Sequence, residues 1–306
     1  MQKKLIKLSS VFLLLAMTFM LCSFTVAAEE GIDNREGART VTKNYLSVSG
    51  IRTKTVSAYS KVNISVNGRT AGYSGRLISG TVYIPIRSFV EESTSASVSY
   101  NQASRTLSVS GAGHSISVSD GAYVLYASAR PIFSMTPSVV LSDGNMYVPI
   151  GTLTKAFNLG SWQTGSLSVY VSGTPSPLRS ATSFYREDEV YWLARIINAE
   201  SRGESLLGQI AVGNVVLNRV KSQLYPNTIW GVIFDRKYGV QFSPILDGSI
   251  YREPGYTSIL AAKICLEGFL LSDDALFFLY PSASTSSWIP KNREYAFSIG
   301  KHDFYR

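Results

Sequence analysis

The sequence is poor in charged residues, cysteine and histidine. Only 16% of its 306 residues are Asp, Glu, Lys or Arg, below the roughly 25% of typical soluble domains. Because 45% are hydrophobic, the chain is not a disordered protein throughout. Two cysteines and two histidines exclude most thiolate and imidazole metal sites, which need three or four such ligands. The length predicts about two domains, and we expect neither a metal nor another cofactor.

Residues 1–28 have the features of a secretory signal peptide. Three lysines precede an apolar run and a small-residue cleavage site: Lys3, Lys4, Lys7, Val11–Cys22 and Val26–Ala28. The apolar run is shorter than the roughly 20 residues of a membrane span. A lipoprotein anchor on Cys22 is the alternative, although Leu21 occupies the place of the small residue that lipidation requires. We expect a protein that is secreted or associated with the cell wall and leaves the membrane after cleavage.

Removal of three lysines lowers the formal charge from +8 to +5 and leaves one cysteine, Cys265. An intramolecular disulfide is then impossible, so packed cores must supply the stability. The mild positive charge suits an anionic partner such as a cell wall. A basic run with interleaved aromatic residues is lacking, so we do not expect a nucleic-acid partner. We expect a monomer.

Residues 59–173 follow a polar leader (29–58) and alternate apolar with polar side chains, as strands do. An internal repeat lies here: Gly80–Ile86 (GTVYIPI) matches Gly144–Ile150 (GNMYVPI) at an offset of 64 residues. Each copy is followed by a short helix-like segment. This region resembles the copper amine oxidase N-terminal-like domain, which implies a small β-rich repeated module for binding or targeting. With one histidine, His114, and no cysteine, it has no residues for a copper site.

A linker at 174–187 separates this module from a region with helical periodicity. The apolar spacing predicts a helix over Asp188–Ala199, a second helix capped by Ser205 and ended before Pro226, and a third over Thr257–Leu271. Between the last two, residues 235–255 form a long loop or short hairpin. Loops of this length are often functional.

Glu200 prolongs the apolar face of the first of these helices at its C-terminal end. Burial and the negative end of the helix dipole both disfavour the ionised carboxylate. Both raise the pKa, which is the state that a general acid needs near neutral pH. The alternative is a structural role, with Glu200 paired to Arg202 or Arg219.

The C-terminal motifs resemble the SleB/CwlJ family of cell wall hydrolases, which includes spore cortex-lytic enzymes. The resemblance covers residues 188–306. It is carried by Leu193–Glu204 (LARIINAESRGE), Gly208–Val220 (GQIAVGNVVLNRV), Gly239–Pro244 (GVQFSP) and Ile299–Tyr305 (IGKHDFY). It implies a mainly helical domain similar to lysozyme and lytic transglycosylases. The expected fold class is therefore α+β multidomain, with the β-rich module followed by this helical domain.

The resemblance implies cleavage of peptidoglycan glycan strands, with Glu200 as the catalytic residue and the spore cortex during germination as one setting. A lytic transglycosylase needs one Glu, whereas hydrolysis usually needs a second carboxylate; Glu204, Asp235 and Asp247 are available. Residues suited to hold sugars through rings, amides and hydroxyls are Glu204, Gln241, Phe242, Ser243, Tyr280 and Trp288. Core packing is the alternative role for these side chains.

Two other classes of function stay open. A cysteine peptidase would use Cys265 and His302, but Cys265 lies within a helix, away from the helix N-terminus that activates thiols. A non-catalytic wall-binding protein would have no need of Glu200. A serine hydrolase finds no support, because Gly72–Gly75 (GYSG) is not a nucleophile elbow.

Overall fold

The computed structural model describes residues 59–306 except 164–166, 238, 283 and 285–287. The predicted signal peptide and leader lie outside these residues. Across the described part of the chain, helices are all too short or too polar to span a bilayer.

The β-rich region contains twelve strands and two short helices in its described residues. The strands are β1 (Ser60–Val66), β2 (Arg69–Ile78), β3 (Thr81–Pro85), β4 (Ser97–Asn101), β5 (Thr106–Gly111), β6 (His114–Ser119), β7 (Val124–Ala127), β8 (Arg130–Phe133), β9 (Val139–Val140), β10 (Met146–Pro149), β11 (Gly160–Gln163) and β12 (Ser168–Ser172). The helices are α1 (Ile86–Ser93) and α2 (Ile150–Ala156). Both follow directly on a strand that ends in proline.

The strands form two sheets. One has the order β11-β12-β1-β2-β3-β10-β9 and the other β4-β5-β6-β7-β8. The two copies of the repeated motif pair with each other, since β3 and β10 run antiparallel with Ile84 opposite Val148 and with each tyrosine opposite the other strand's proline. Proline has no N–H for the ladder and fixes φ, so it ends each strand where α1 or α2 begins.

The C-terminal region is helical, with a small three-stranded sheet. Its elements are α3 (Ala181–Phe184), α4 (Glu187–Ser201), α5 (Leu206–Lys221), α6 (Ile229–Ile233), α7 (Tyr256–Leu266), β13 (Phe277–Leu279), α8 (Trp288–Asn292), β14 (Tyr295–Ile299) and β15 (His302–Tyr305). The sheet order is β13-β15-β14. Single turns of 3₁₀ helix lie at Ser243–Ile245 and Ser249–Tyr251.

Helices α4, α5 and α7 pack around one hydrophobic core. Gly213 of α5 allows them to approach closely, because a Cβ atom there would lie 2.7 Å from Cys265 Sγ and 2.8 Å from Ile197 Cδ1. Both distances are shorter than carbon and sulfur atoms tolerate, so a larger residue would push the helices apart. This close packing fixes the end of α4, on which Glu200 lies.

The predicted helices are largely confirmed. The first spans Glu187–Ser201, and the second starts after Ser205, whose hydroxyl accepts a hydrogen bond from Gly208 N at 3.3 Å. The third ends at Leu266 and not at Leu271 as predicted. The reason is Gly268, whose φ of +85° turns the chain away from the helix.

The β-rich and helical regions contact each other more closely than a free linker implies. Arg130 of β8 donates two hydrogen bonds to the Glu267 carboxylate, at 2.8 and 2.9 Å. Lys155 lies 3.3 Å from the same carboxylate, and the Tyr185 hydroxyl donates to it at 2.6 Å. The described residues between 59 and 306 all belong to one compact unit. The domain boundaries stay a prediction, and these contacts of Glu267 join the two regions directly.

Candidate active site

Glu200 lies in the last turn of α4, as its register predicts, and is partly buried. Its neighbours fix this helix end. The Ser201 hydroxyl donates to Ile197 O at 2.8 Å, and Asn198 Oδ1 accepts from Gly255 N at 3.2 Å. Among the described residues, the Glu200 carboxylate forms no hydrogen bond or ion pair. The carboxylate is held in place by its helix while its oxygens stay free.

Burial raises the pKa of Glu200 to about 7 from its ordinary value of 4.5. Burial is the largest cause of this rise; the negative charge of Asp247 contributes to it, and the nearby Arg219 guanidinium opposes it. Asp247 itself is exposed, and hydrogen bonds from Ser249 hold its own pKa below the ordinary value. A pair of carboxyl groups, one with a raised pKa and one with a lowered pKa, recurs in glycosidase sites.

Arg219 does not form the ion pair with Glu200 that a structural role would require. Its guanidinium lies 5.0 Å from the ring centre of Tyr225 and 5.1 Å from that of Phe242, and Nε donates to Leu276 O at 2.8 Å. Arg202, the other proposed partner, is exposed and forms no ion pair in the described part of the chain. Arg219 is therefore a buried positive charge that acts on Glu200 from a distance.

Two asparagines of α5, Asn214 and Asn218, hold the segment that follows α7. Asn214 Nδ2 donates to Phe269 O at 2.9 Å, and its Oδ1 accepts from Leu271 N at 2.9 Å. One turn further, Asn218 Nδ2 donates to Ser272 O and Ala275 O, both at 3.0 Å. Together with Arg219, these side chains fasten the segment after α7 to the core, since buried backbone groups need partners.

Two of the predicted sugar contacts are buried and correspond to the alternative role, packing. Phe242 is only 2% exposed and belongs to the core. The Glu204 carboxylate accepts from Lys301 N at 3.1 Å and lies against Gly300 in the β14–β15 turn. The burial of Phe242 and these contacts of Glu204 favour packing over sugar contact, and sugar binding by both residues stays a prediction.

The other four predicted contacts are at the surface. Ser243, Tyr280 and Trp288 are exposed, and Gln241 is partly buried with its Nε2 donating to Gly239 O at 3.1 Å. Gln241 and Ser243 flank Phe242, which contacts the Arg219 guanidinium. This places two of them beside the Glu200 region, and sugar binding by all four stays a prediction.

The geometry does not support a cysteine peptidase. Cys265 is 1% exposed, burial raises the pKa of its thiol, and its Sγ donates to Ile210 O at 3.4 Å. His302 is held elsewhere, against the rings of Phe278 and Tyr280. A buried thiol with no histidine partner is inert.

The β-rich region does not fit a copper site. Among the described residues, groups of three or more His, Cys, Asp or Glu that could hold a metal are absent. His114 is 6% exposed and its ring lies 5.0 Å from that of Phe157. It lines an open depression of about 440 Å³ with Glu92, Ser93, Thr94, Ser95, Ala112 and Pro175. Glu200 does not line that depression.

One group of residues went unnoticed in the sequence: an exposed set of aromatic side chains from α4, α6 and the 249–251 turn, described below. Tyr191 and Trp192 stand side by side in the sequence just before the apolar face of α4. Trp230 and Phe234, four residues apart, are a second local pair, but nothing local indicates that the two pairs and Tyr251 meet.

Comparisons with known proteins agree with the two-part organisation. Residues 203–305 match the family described as Cell Wall Hydrolase, and residues 65–182 match the Copper amine oxidase N-terminal domain. The first match begins three residues after Glu200, so it assigns no role to that residue.

Several curated relatives are similar to this chain. A spore cortex-lytic enzyme of Bacillus cereus is 36% identical over 50% of this chain and 56% of its own length, and one of Bacillus subtilis is 37% identical over 39% and 38%. The chain thus spans about half the length, or less, of these relatives. The cell wall hydrolase CwlJ of Oceanobacillus iheyensis is 30% identical over 34% of this chain and 77% of its own.

Among solved structures, the catalytic domain of the germination-specific lytic transglycosylase SleB from Bacillus anthracis is 38% identical, with a TM-score of 0.37. The match covers 40% of this chain and 97% of that domain. The family match and the curated relatives confirm the motif resemblance of the C-terminal region. Through this region the chain belongs to the SleB/CwlJ family of cell wall hydrolases, and a copper amine oxidase N-terminal-like domain precedes it.

Proposed function

We propose that this protein cleaves the glycan strands of peptidoglycan, with Glu200 as the general acid. The observation that carries the proposal is the Glu200 carboxyl, whose pKa of about 7 leaves it about half protonated at neutral pH and largely protonated below it. It occupies a fixed helix end and is free of hydrogen bonds in the described residues. The names of the relatives, spore cortex-lytic enzyme and cell wall hydrolase, support this substrate class.

The mechanism that we favour is that of a lytic transglycosylase. Glu200 donates its proton to the glycosidic oxygen, and the bond from that oxygen to C1 breaks. The C6 hydroxyl of the same sugar then attacks C1, and the Glu200 carboxylate takes the hydroxyl proton. The product is a 1,6-anhydro sugar, and one carboxyl group carries out both proton transfers.

Hydrolysis is the second candidate, and Asp247 is the observation that favours it. An ionised carboxylate near a protonated one is the pair that hydrolytic glycosidases use, with the ionised member as base or nucleophile. Under this mechanism Asp247 is indispensable. Under transglycosylation it only adjusts the charge on Glu200.

The experiment combines turbidity measurements with mass spectrometry. The purified protein is incubated with peptidoglycan in H₂¹⁸O, with spore cortex and vegetative wall as parallel substrates. Transglycosylation gives fragments lighter by one water with no ¹⁸O, whereas hydrolysis incorporates ¹⁸O at a reducing end. Intact glycan with cleaved peptide stems, or no cleavage, would refute the proposal. We expect the faster reaction on cortex.

Matched variants test the role of Glu200. Glu200→Gln keeps the size of the side chain but carries no acidic proton, and should lower the rate by about 10²- to 10⁴-fold, the usual contribution of a general acid. Glu187→Gln, a substitution at the exposed start of the same helix, should leave the rate unchanged. A Glu200→Gln protein that is folded and as active as wild type would contradict the assignment.

A further inference from the structure

Five aromatic side chains form a continuous cluster beside the candidate site. This aromatic platform consists of Tyr191, Trp192, Trp230, Phe234 and Tyr251. The Trp192 ring lies at its centre, 5.0 Å from Tyr191, 5.1 Å from Phe234 and 6.5 Å from Tyr251, and Trp230 lies 5.1 Å from Phe234. Tyr191, Trp230 and Tyr251 are 45, 56 and 60% exposed. Isolated exposed rings are common on protein surfaces, whereas a contiguous set marks a binding surface.

The platform is held rigid from beneath by Arg195. Its guanidinium is buried, stacks 4.4 Å from the Tyr191 ring, and donates to the carbonyl oxygens of Tyr251 and Arg252. One side chain thus ties α4 to the 249–251 turn. A ligand that binds rings already fixed in place loses less conformational entropy on binding than one that must order them.

Two observations place the platform near Glu200. On α4, Trp192 and Glu200 lie on the same row of residues spaced by four, about 12 Å apart at 1.5 Å per residue. From the other side, Phe234 is followed by Asp235, whose carboxylate acts on Arg219, the cation that influences Glu200. A polymer cleaved at Glu200 can therefore extend onto the platform.

The charges around the platform argue against anionic polymers and membranes. The first turn of α4 carries Glu187, Asp188 and Glu189 next to Tyr191, and Arg186 pairs with the last two. The net charge of this group is negative and repels phosphate groups. Aromatic faces instead suit a ligand with apolar C–H faces and a polar rim, as sugar rings have. We propose that the aromatic platform is a subsite for sugar rings of the glycan strand, remote from the bond at Glu200. This inference rests on the proposed function for its choice of ligand.

Binding without chemistry tests the subsite. The full-length protein carrying Glu200→Gln is titrated with fluorescent peptidoglycan glycan strands from which the peptide stems have been removed. Trp230→Ala and Tyr251→Ala, each added to this background, should weaken affinity by about five- to tenfold, as the loss of exposed aromatic anchors does. Tyr295→Ala is the matched control, because this side chain is 53% exposed and has a ring contact with Tyr305 at 5.8 Å. It should bind within about twofold of the background.

Thermal melts establish that each variant is folded before it is compared. Affinities of both platform variants within twofold of the background would overturn the proposal, as would an equal loss in Tyr295→Ala. Loss of self-association or of protein binding, with glycan affinity unchanged, would overturn it too and assign the surface to a protein partner. Cleavage by the wild type is measured separately, so a protein that binds strands through the platform but cleaves nothing would refute only the proposed function.

Discussion

The raised pKa of Glu200 has a consequence for stability that can be measured directly. A pKa of about 7 in the folded protein, against an ordinary 4.5 in the unfolded chain, corresponds to about 3 kcal/mol at 1.36 kcal/mol per pH unit. The folded state holds the proton where the unfolded chain releases it. This stabilisation is therefore fully present below pH 4.5 and is lost as the pH rises through 7. Above about pH 8 the titration of Glu200 no longer changes the stability.

The assay compares urea unfolding of wild type and Glu200→Gln from pH 4 to pH 8. The glutamine variant does not titrate, so the free energy of unfolding of wild type should fall relative to it by up to about 3 kcal/mol across this range. Glu187→Gln should show no comparable trend. A difference that stays flat, or that grows in favour of wild type, would mean that Glu200 is stabilised as an anion. That result would refute its role as a poised acid.

Three further predictions concern other parts of the structure. Asp247→Asn removes a charge that raises the pKa of Glu200. The loss of activity at high pH should therefore begin at a lower pH than in wild type, with the maximal rate retained. A variant without activity at any pH would instead make Asp247 a catalytic base. Gly213→Ala should lower the free energy of unfolding by about 1–3 kcal/mol through overpacking. Adding Cys265→Ala to this variant should restore part of the lost stability. An unchanged urea midpoint for Gly213→Ala would contradict the close helix packing. Glu267→Gln leaves a buried guanidinium without its carboxylate and should cost about 3–5 kcal/mol; a loss below about 1 kcal/mol in urea unfolding would show that the contact between the two regions is weak.

Local pattern was sufficient to predict much of the site's framework. The spacing of apolar residues gave α4 and its register, and that register placed Glu200 at the helix end, where the structure has it. Ser205 marked the start of α5. The repeated Tyr-x-Pro segments marked strands that lead into α1 and α2. These features are encoded locally, because helix and strand periods and caps involve residues within a few positions of each other.

The surroundings of Glu200 depended on segments far apart in the sequence. Asp247 and Arg219 act on its pKa from the long loop and from α5, and periodicity within one segment does not say which segments meet. The same reason left the role of Phe242 and Glu204 open between sugar contact and packing, because their packing partners are not specified by local sequence.

The sequence alone therefore determined the helix that carries Glu200, the family of its C-terminal region and the class of reaction to expect. Tertiary structure decided which carboxylate and guanidinium act on Glu200, how Arg195 fastens the aromatic platform, and how Arg130 joins the two regions. The division has a physical cause. Hydrophobic periodicity and capping act along the chain, whereas electrostatic environment, burial and aromatic clustering arise only when distant segments are brought together by the packed core.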